Sequence, residues 1–132
     1  MTEAQMQIGE VAERTQLSLN TLRHYDQTGL VVPSARSQGG FRLYTGADVD
    51  RLLAIRRMKP LGFTLEEMRE LLEVTDRLGR RDALSAAEID ALTADLARFQ
   101  EAAEQRRDKL VSQLAAAEEF IGDLRRRRHA IT

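Results

Sequence analysis

Apolar residues recur at helical spacing through most of the chain, and the breaks between the stripes mark its elements. Ile8, Val11 and Ala12 lie at i, i+3 and i+4, and the pattern stops at Thr15-Gln16-Leu17, just before a second apolar face begins. This predicts two short helices joined by a tight turn. Ser18 suits the N-cap of the second, its hydroxyl accepting from the backbone N–H near Thr21. Leu19 and Leu22 are expected to point inward, and Thr28-Gly29 to end the helix. Leu30-Val31-Val32, closed by Pro33, reads as a strand, with Phe41-Arg42-Leu43-Tyr44 as its partner across the polar segment from Ser34 to Gly40. A small β-hairpin, or wing, is therefore expected after the helix pair.

Three capping boxes follow, each a hydroxyl residue with an acid three positions later: Thr45 with Asp48, Thr64 with Glu67, and Ser85 with Glu88. The first opens a helix carrying Val49, Leu52, Leu53 and Arg56, which ends around Pro60-Leu61-Gly62 because proline lacks the N–H. The second opens a helix with Leu65, Met68, Leu71 and Leu72 on one face. The third opens a segment that reaches Gly122 without Gly or Pro, a helix of about 50 Å at ~1.5 Å per residue. Its stripe is Ile89, Leu92, Leu96, Phe99 and Ala103, then Leu110, Leu114, Ala117, Ile121 and Leu124, interrupted at Arg106 and Gln113. Such a seam pairs with another helix, and the same helix of a second copy is the simplest partner; folding back on its own head is the alternative. The expected organisation is a block at 1–76, a polar connection at 77–85, a dimerisation helix at 86–128 and a tail at 129–132.

Charge narrows the function. The chain has 132 residues and a net charge of −1, yet from Arg14 to Lys59 eight basic residues face only Asp26, Asp48 and Asp50. That excess sits in the first part of the chain, the only part where a nucleic-acid footprint is expected. Cysteine is absent, so thiolate metal sites and thiol redox sensing are not available, and two histidines cannot make a metal centre unaided. No metal or other cofactor is expected. No run is long and apolar enough to span a membrane and the start carries no signal region, so a single cytoplasmic domain is expected. No nucleophile, base or carboxylate pair stands at motif spacing, so an enzyme is not expected.

Helix, turn, helix is the geometry in which the second helix enters the major groove. Its exposed face is expected to offer Asn20, Thr21, Arg23 and His24. Arg forks onto guanine or phosphate, Asn suits adenine, and Thr suits phosphate or a thymine methyl. Arg125-Arg126-Arg127-Arg128 either grips DNA or complements the helix dipole.

Ile8-Gly9-Glu10-Val11-Ala12, Ser18 to Asp26, Gly29-Leu30, Gly40-Phe41-Arg42-Leu43-Tyr44, Asp48-Val49 and Leu61-Gly62-Phe63-Thr64-Leu65-Glu66-Glu67 together closely resemble the MerR family of bacterial transcription regulators. The resemblance covers about the first 75 residues. It implies a mainly α fold: a winged helix-turn-helix head followed by a long helix that forms an antiparallel coiled coil in a homodimer. It also implies double-stranded DNA as partner, a pseudo-palindromic site, and activation at promoters whose polymerase elements are spaced too widely, the distorted spacer realigning them for RNA polymerase. Arg23 and Tyr25 become recognition-helix contacts, Arg42 a wing–phosphate contact, and Lys59 part of a second wing. With Ser18, Asn20, Thr21 and His24 they form the candidate DNA-binding set. His24 stands where the family commonly has Tyr, which bears on base preference. Pro60 follows Lys59 where another residue is usual, which bears on the angle of the second wing. Family members sense metals or oxidants through cysteines near the end of the coiled coil, or bind drugs in a large C-terminal domain; only about eight residues follow Leu124, leaving a small-ligand site at the dimer interface or control by abundance or a partner. Two other classes remain open: an architectural or recombination-accessory DNA binder, and a coiled-coil adaptor without DNA.

Overall fold

The computed structural model describes residues 4–132. They form two compact units that divide between Leu84 and Ser85. The first runs β1 (Met6–Gln7), α1 (Ile8–Thr15), α2 (Leu19–Gln27), β2 (Ala35–Arg36), β3 (Arg42–Tyr44), α3 (Gly46–Met58), a 3-10 turn (Lys59–Leu61), α4 (Leu65–Leu78) and a second 3-10 turn (Arg81–Ala83). The second is the single helix α5 (Ala86–Ile131).

Local chemistry sets the helix ends. Gln16 closes α1 in the left-handed conformation at φ 59°, and the Thr15 hydroxyl donates back to the Val11 carbonyl at 2.8 Å. Ser18 caps α2 as expected, its hydroxyl accepting from the Thr21 N–H at 3.0 Å. All three capping boxes are present, at Thr45/Asp48, Thr64/Glu67 and Ser85/Glu88. Pro60 is accommodated in the 3-10 turn after α3, where its fixed φ fits and no helical N–H is required of it. Gly62, at φ 77°, then reverses the chain into α4, a conformation that a Cβ would strain.

The sheet departs from the expected hairpin. Its order is β1-β3-β2, antiparallel throughout, with Met6 opposite Tyr44 on one side and Ala35 opposite Leu43 on the other. Leu30-Val31-Val32 is not a strand. The N–H groups of Leu30 and Val31 both donate to the Tyr25 carbonyl, at 2.9 and 3.3 Å, so this segment closes the end of α2 and lays Leu30 and Val31 into the core. The wing strand is Ala35–Arg36, inside the segment read as a polar connection, and its turn is closed by Gly40 N–H donating to Ser37 O at 2.9 Å. Val11, Leu22, Tyr44, Leu52 and Ile55 form the centre of the core, which joins α1, α2, β3 and α3. Leu19, expected to point inward, is 40% exposed: at the first position of α2 it lies beyond the stripe that Leu22 and Tyr25 continue.

The helical content also runs past two expected boundaries. Helix α4 continues to Leu78, and α5 continues through residues 129–131. No described helix is long and apolar enough to cross a membrane.

Candidate DNA interface

Helix α2 presents Asn20, Arg23 and His24 to solvent. Arg23 makes no hydrogen bond or ion pair with another described residue, so its five donors are available to a ligand. Thr21 is half-buried, its hydroxyl 2.8 Å from that of Ser18, and Ser18 is thus spent on the helix cap rather than free to reach outward. Tyr25 is buried at 3% exposure, with its ring tilted 45° to that of His24 at 6.1 Å. It packs α2 onto the core and meets a ligand only at the edge of a groove.

That groove brings separate parts of the sequence together. Asn20, Thr21, His24 and Tyr25 from α2 line one side, and Lys59, Phe63, Leu65 and Met68 line the other, around a volume of about 430 Å³. Its two walls are tied together, because Arg69 on α4 donates through Nη2 to the Thr28 carbonyl at the end of α2 at 2.9 Å. Five of the eight candidate residues therefore share one concavity, the cation Lys59 among them. The apolar wall of Phe63, Leu65 and Met68 was not read from the sequence, where Leu65 and Met68 count only as a helix stripe.

On the wing, Arg42 is held by Asp26: its Nε donates to the Asp26 carboxylate at 2.7 Å, and Arg36 Nη2 donates to the same oxygen at 3.0 Å. Phe41 beside it is 64% exposed at the wing turn. Asp26, Arg36 and Phe41 were not among the candidates, since an acid on a recognition helix carries no signal of its own. Tyr44, at the end of β3, is fully buried, and its hydroxyl has no partner among the described residues. Burial, reinforced by the nearby Asp26 and Asp48 carboxylates and opposed by Arg42 and Arg36, pushes its pKa above the ordinary tyrosine value.

The candidate seam on α5 divides by exposure. Leu92 is buried and Ile89, Leu96, Phe99 and Ala103 are half-buried, whereas Leu110, Leu114, Ala117, Ile121 and Leu124 are exposed. Among the described residues no group of three or more His, Asp or Glu is placed to hold a metal ion.

Comparison with known proteins agrees with this geometry. The model of the MerR HTH family regulatory proteins matches residues 6–75, and that of the MerR DNA-binding region matches residues 49–113. The regulator CueR of Yersinia pestis is 36% identical over 125 residues, covering 89% of this chain and 83% of that protein. The mercuric resistance operon regulatory protein of Bacillus cereus is 44% identical over 70 residues, 53% of each chain. The chain spans about half the length of that relative, and only 32% of the nodulation protein NolA of Bradyrhizobium elkanii, to which it is 45% identical over 71 residues. Among solved structures, the lead(II) complex of a transcription regulator from Ralstonia metallidurans is 36% identical with a TM-score of 0.51, covering 92% of this chain and 86% of that one. A MerR-family regulator from Bacillus cereus is 30% identical with a TM-score of 0.50, covering 74% of each. The winged head, the groove along its second helix and these matches converge on one assignment: the chain belongs to the MerR family of helix-turn-helix DNA-binding transcription regulators.

Proposed function

We propose that the chain acts as an antiparallel homodimer that binds a pseudo-palindromic promoter site and regulates transcription by distorting the DNA between the half-sites. One observation carries the antiparallel pairing on which the reading rests: the spacing of the stripe on α5 is mirror-symmetric about Leu110. Positions 4, 7, 11, 14, 18 and 21 residues before it hold Arg106, Ala103, Phe99, Leu96, Leu92 and Ile89. The same distances after it hold Leu114, Ala117, Ile121, Leu124, Arg128 and Ile131. Two copies crossing antiparallel at Leu110 set Ile89 against Ile131, Leu96 against Leu124, Phe99 against Ile121 and Ala103 against Ala117. Arg106 then lies beside the exposed Leu114, on which its aliphatic stem can pack, and Asp95 stands across from Arg125. A parallel pair would instead put Arg106 on Arg106 and Arg128 on Arg128 within the seam.

A two-fold dimer places one recognition helix and one wing on each half-site, so the site should repeat that symmetry. Bending a site of this size costs of order 1–6 kcal/mol, which the phosphate contacts of the wings must offset. RNA polymerase at the same promoter is the second partner. The 132 residues contain no thiol, so any effector would be recognised through other groups. The reading is tested by transcription in vitro from the bound promoter with its spacer shortened by one and two base pairs. Distortion requires activation to vanish or invert as the spacer shortens. Activation identical at every spacer length would favour direct recruitment of polymerase. Binding and bending with no effect on transcription would favour an architectural role.

A further inference from the structure

Asp26 is an acid on the recognition helix, three residues after Arg23, and by charge alone it opposes a phosphate backbone. Its side chain is only 12% exposed, and one oxygen, Oδ2, accepts from Arg42 Nε at 2.7 Å and from Arg36 Nη2 at 3.0 Å. These bonds span sixteen and ten residues and join α2 to both strands of the wing. Arg36 and Arg42 are direct cross-strand neighbours, an arrangement that like charges disfavour unless an anion lies between them. Arg36 also donates through Nη1 to the Gly40 carbonyl at 3.3 Å, which ties in the wing turn. Arg42 spends only its Nε; neither Nη bonds to a described residue. A guanidinium is planar, so holding the Nε edge settles where the two Nη donors point.

We propose that Asp26 is a positioning residue for DNA binding: it locks the wing to the recognition helix and orients Arg42 so that its free Nη edge meets a backbone phosphate. The proposal rests on the head's DNA-binding role. Asp26 touches no DNA itself and acts through Arg42.

The sign of the effect makes this testable. Removing an acid from a DNA-facing surface ordinarily tightens binding, because one repulsive charge is lost. The full chain and its Asp26→Asn, Arg42→Ala and doubly substituted forms are titrated by fluorescence anisotropy against a duplex recovered from a random-sequence pool, over a range of salt. Melting curves set a temperature at which every form is folded. Asp26→Asn is expected to bind about 5- to 20-fold more weakly and to lose roughly one unit of salt slope, as Arg42→Ala does. In the Arg42→Ala background, Asp26→Asn is expected to change affinity by less than about twofold, since the group it positions is gone. Asp26→Glu, which keeps the carboxylate, is expected to recover part of the loss. Equal or tighter binding by Asp26→Asn, or losses that multiply in the double variant, overturns the proposal. A wild-type chain for which no duplex can be selected overturns the DNA-binding reading as well.

Discussion

Asp48 accepts two hydrogen bonds from Ser34, which lies fourteen residues earlier in the chain: one from its backbone N–H at 3.1 Å and one from its hydroxyl at 2.7 Å. The same Oδ2 takes the Thr45 N–H at 3.0 Å, and Oδ1 takes Arg51 Nη1 at 3.0 Å. Arg51 in turn holds the Asp76 carboxylate through Nε at 2.9 and 3.0 Å. One capping residue of α3 therefore also pins the segment that leads into the wing and, through Arg51, the end of α4. At 2% exposure such a carboxylate is tolerable only because its lone pairs are met.

Asp48→Ala should therefore cost more than an ordinary cap. It strands the Ser34 and Thr45 N–H groups and leaves Arg51 with Asp76 alone. We expect a loss of about 2–4 kcal/mol, below the full value for a buried pair because Arg51 is a third exposed. Urea unfolding measures it, and Ser34→Ala should cost about 1 kcal/mol in the same assay.

Tyr44→Phe should stabilise the head, because the hydroxyl it removes is buried without a partner among the described residues. The expected gain is about 1 kcal/mol at neutral pH. The substitution also changes the alkaline limb. The folded pKa is raised by burial and by Asp26 and Asp48, so the unfolded chain ionises this tyrosine first. Its contribution is intact below about pH 10 and is lost as pH rises through the folded value. Urea midpoints from about pH 8 to 11 should fall less steeply for Tyr44→Phe than for the wild type.

Leu110→Glu should separate the dimer, since at a two-fold crossing it sets two carboxylates against each other in an apolar seam. Sedimentation is expected to give the 14.9 kDa monomer for this variant and twice that mass for the wild type. Ser112→Glu, away from the stripe, should leave the dimer intact. A monomeric wild type at micromolar concentration would reject the pairing.

Arg23→Ala and Lys59→Ala should fail in different ways. Arg23, on the exposed face of α2 and unpaired among the described residues, should cost about 1–3 kcal/mol when removed and relax the selected sequence. Removing Lys59, an exposed lining residue of the groove, should weaken all duplexes alike and lower the salt slope by roughly one. Sequence selection and salt titration of both variants separate the two roles.

Much of this protein was legible because its signals are local. A hydroxyl three residues before an acid, a Ser at the start of an apolar face and a Gly after its end act within one helical turn, so Ser18, Thr45, Thr64 and Ser85 could be placed from the chain alone. The recognition helix and the uninterrupted last helix followed from the same short-range chemistry, and the cationic stretch from Arg14 to Lys59 from a count of charges. What tertiary structure decided lies across longer separations. Strands of two and three residues leave no alternation to read, so β1 and β2 exist only because β3 offers both its edges to them. Leu30 and Val31 have the composition of a strand, yet they fill the core and close the end of α2, their N–H groups donating to the Tyr25 carbonyl that also accepts from the Thr28 hydroxyl. Asp26 gathers two wing arginines, and Asp48 gathers Ser34 and Arg51, by contacts that no periodicity encodes. The groove joins α2 to Lys59 and Phe63 only once α3 has turned the chain back, since its walls are far apart in sequence and meet through packing alone.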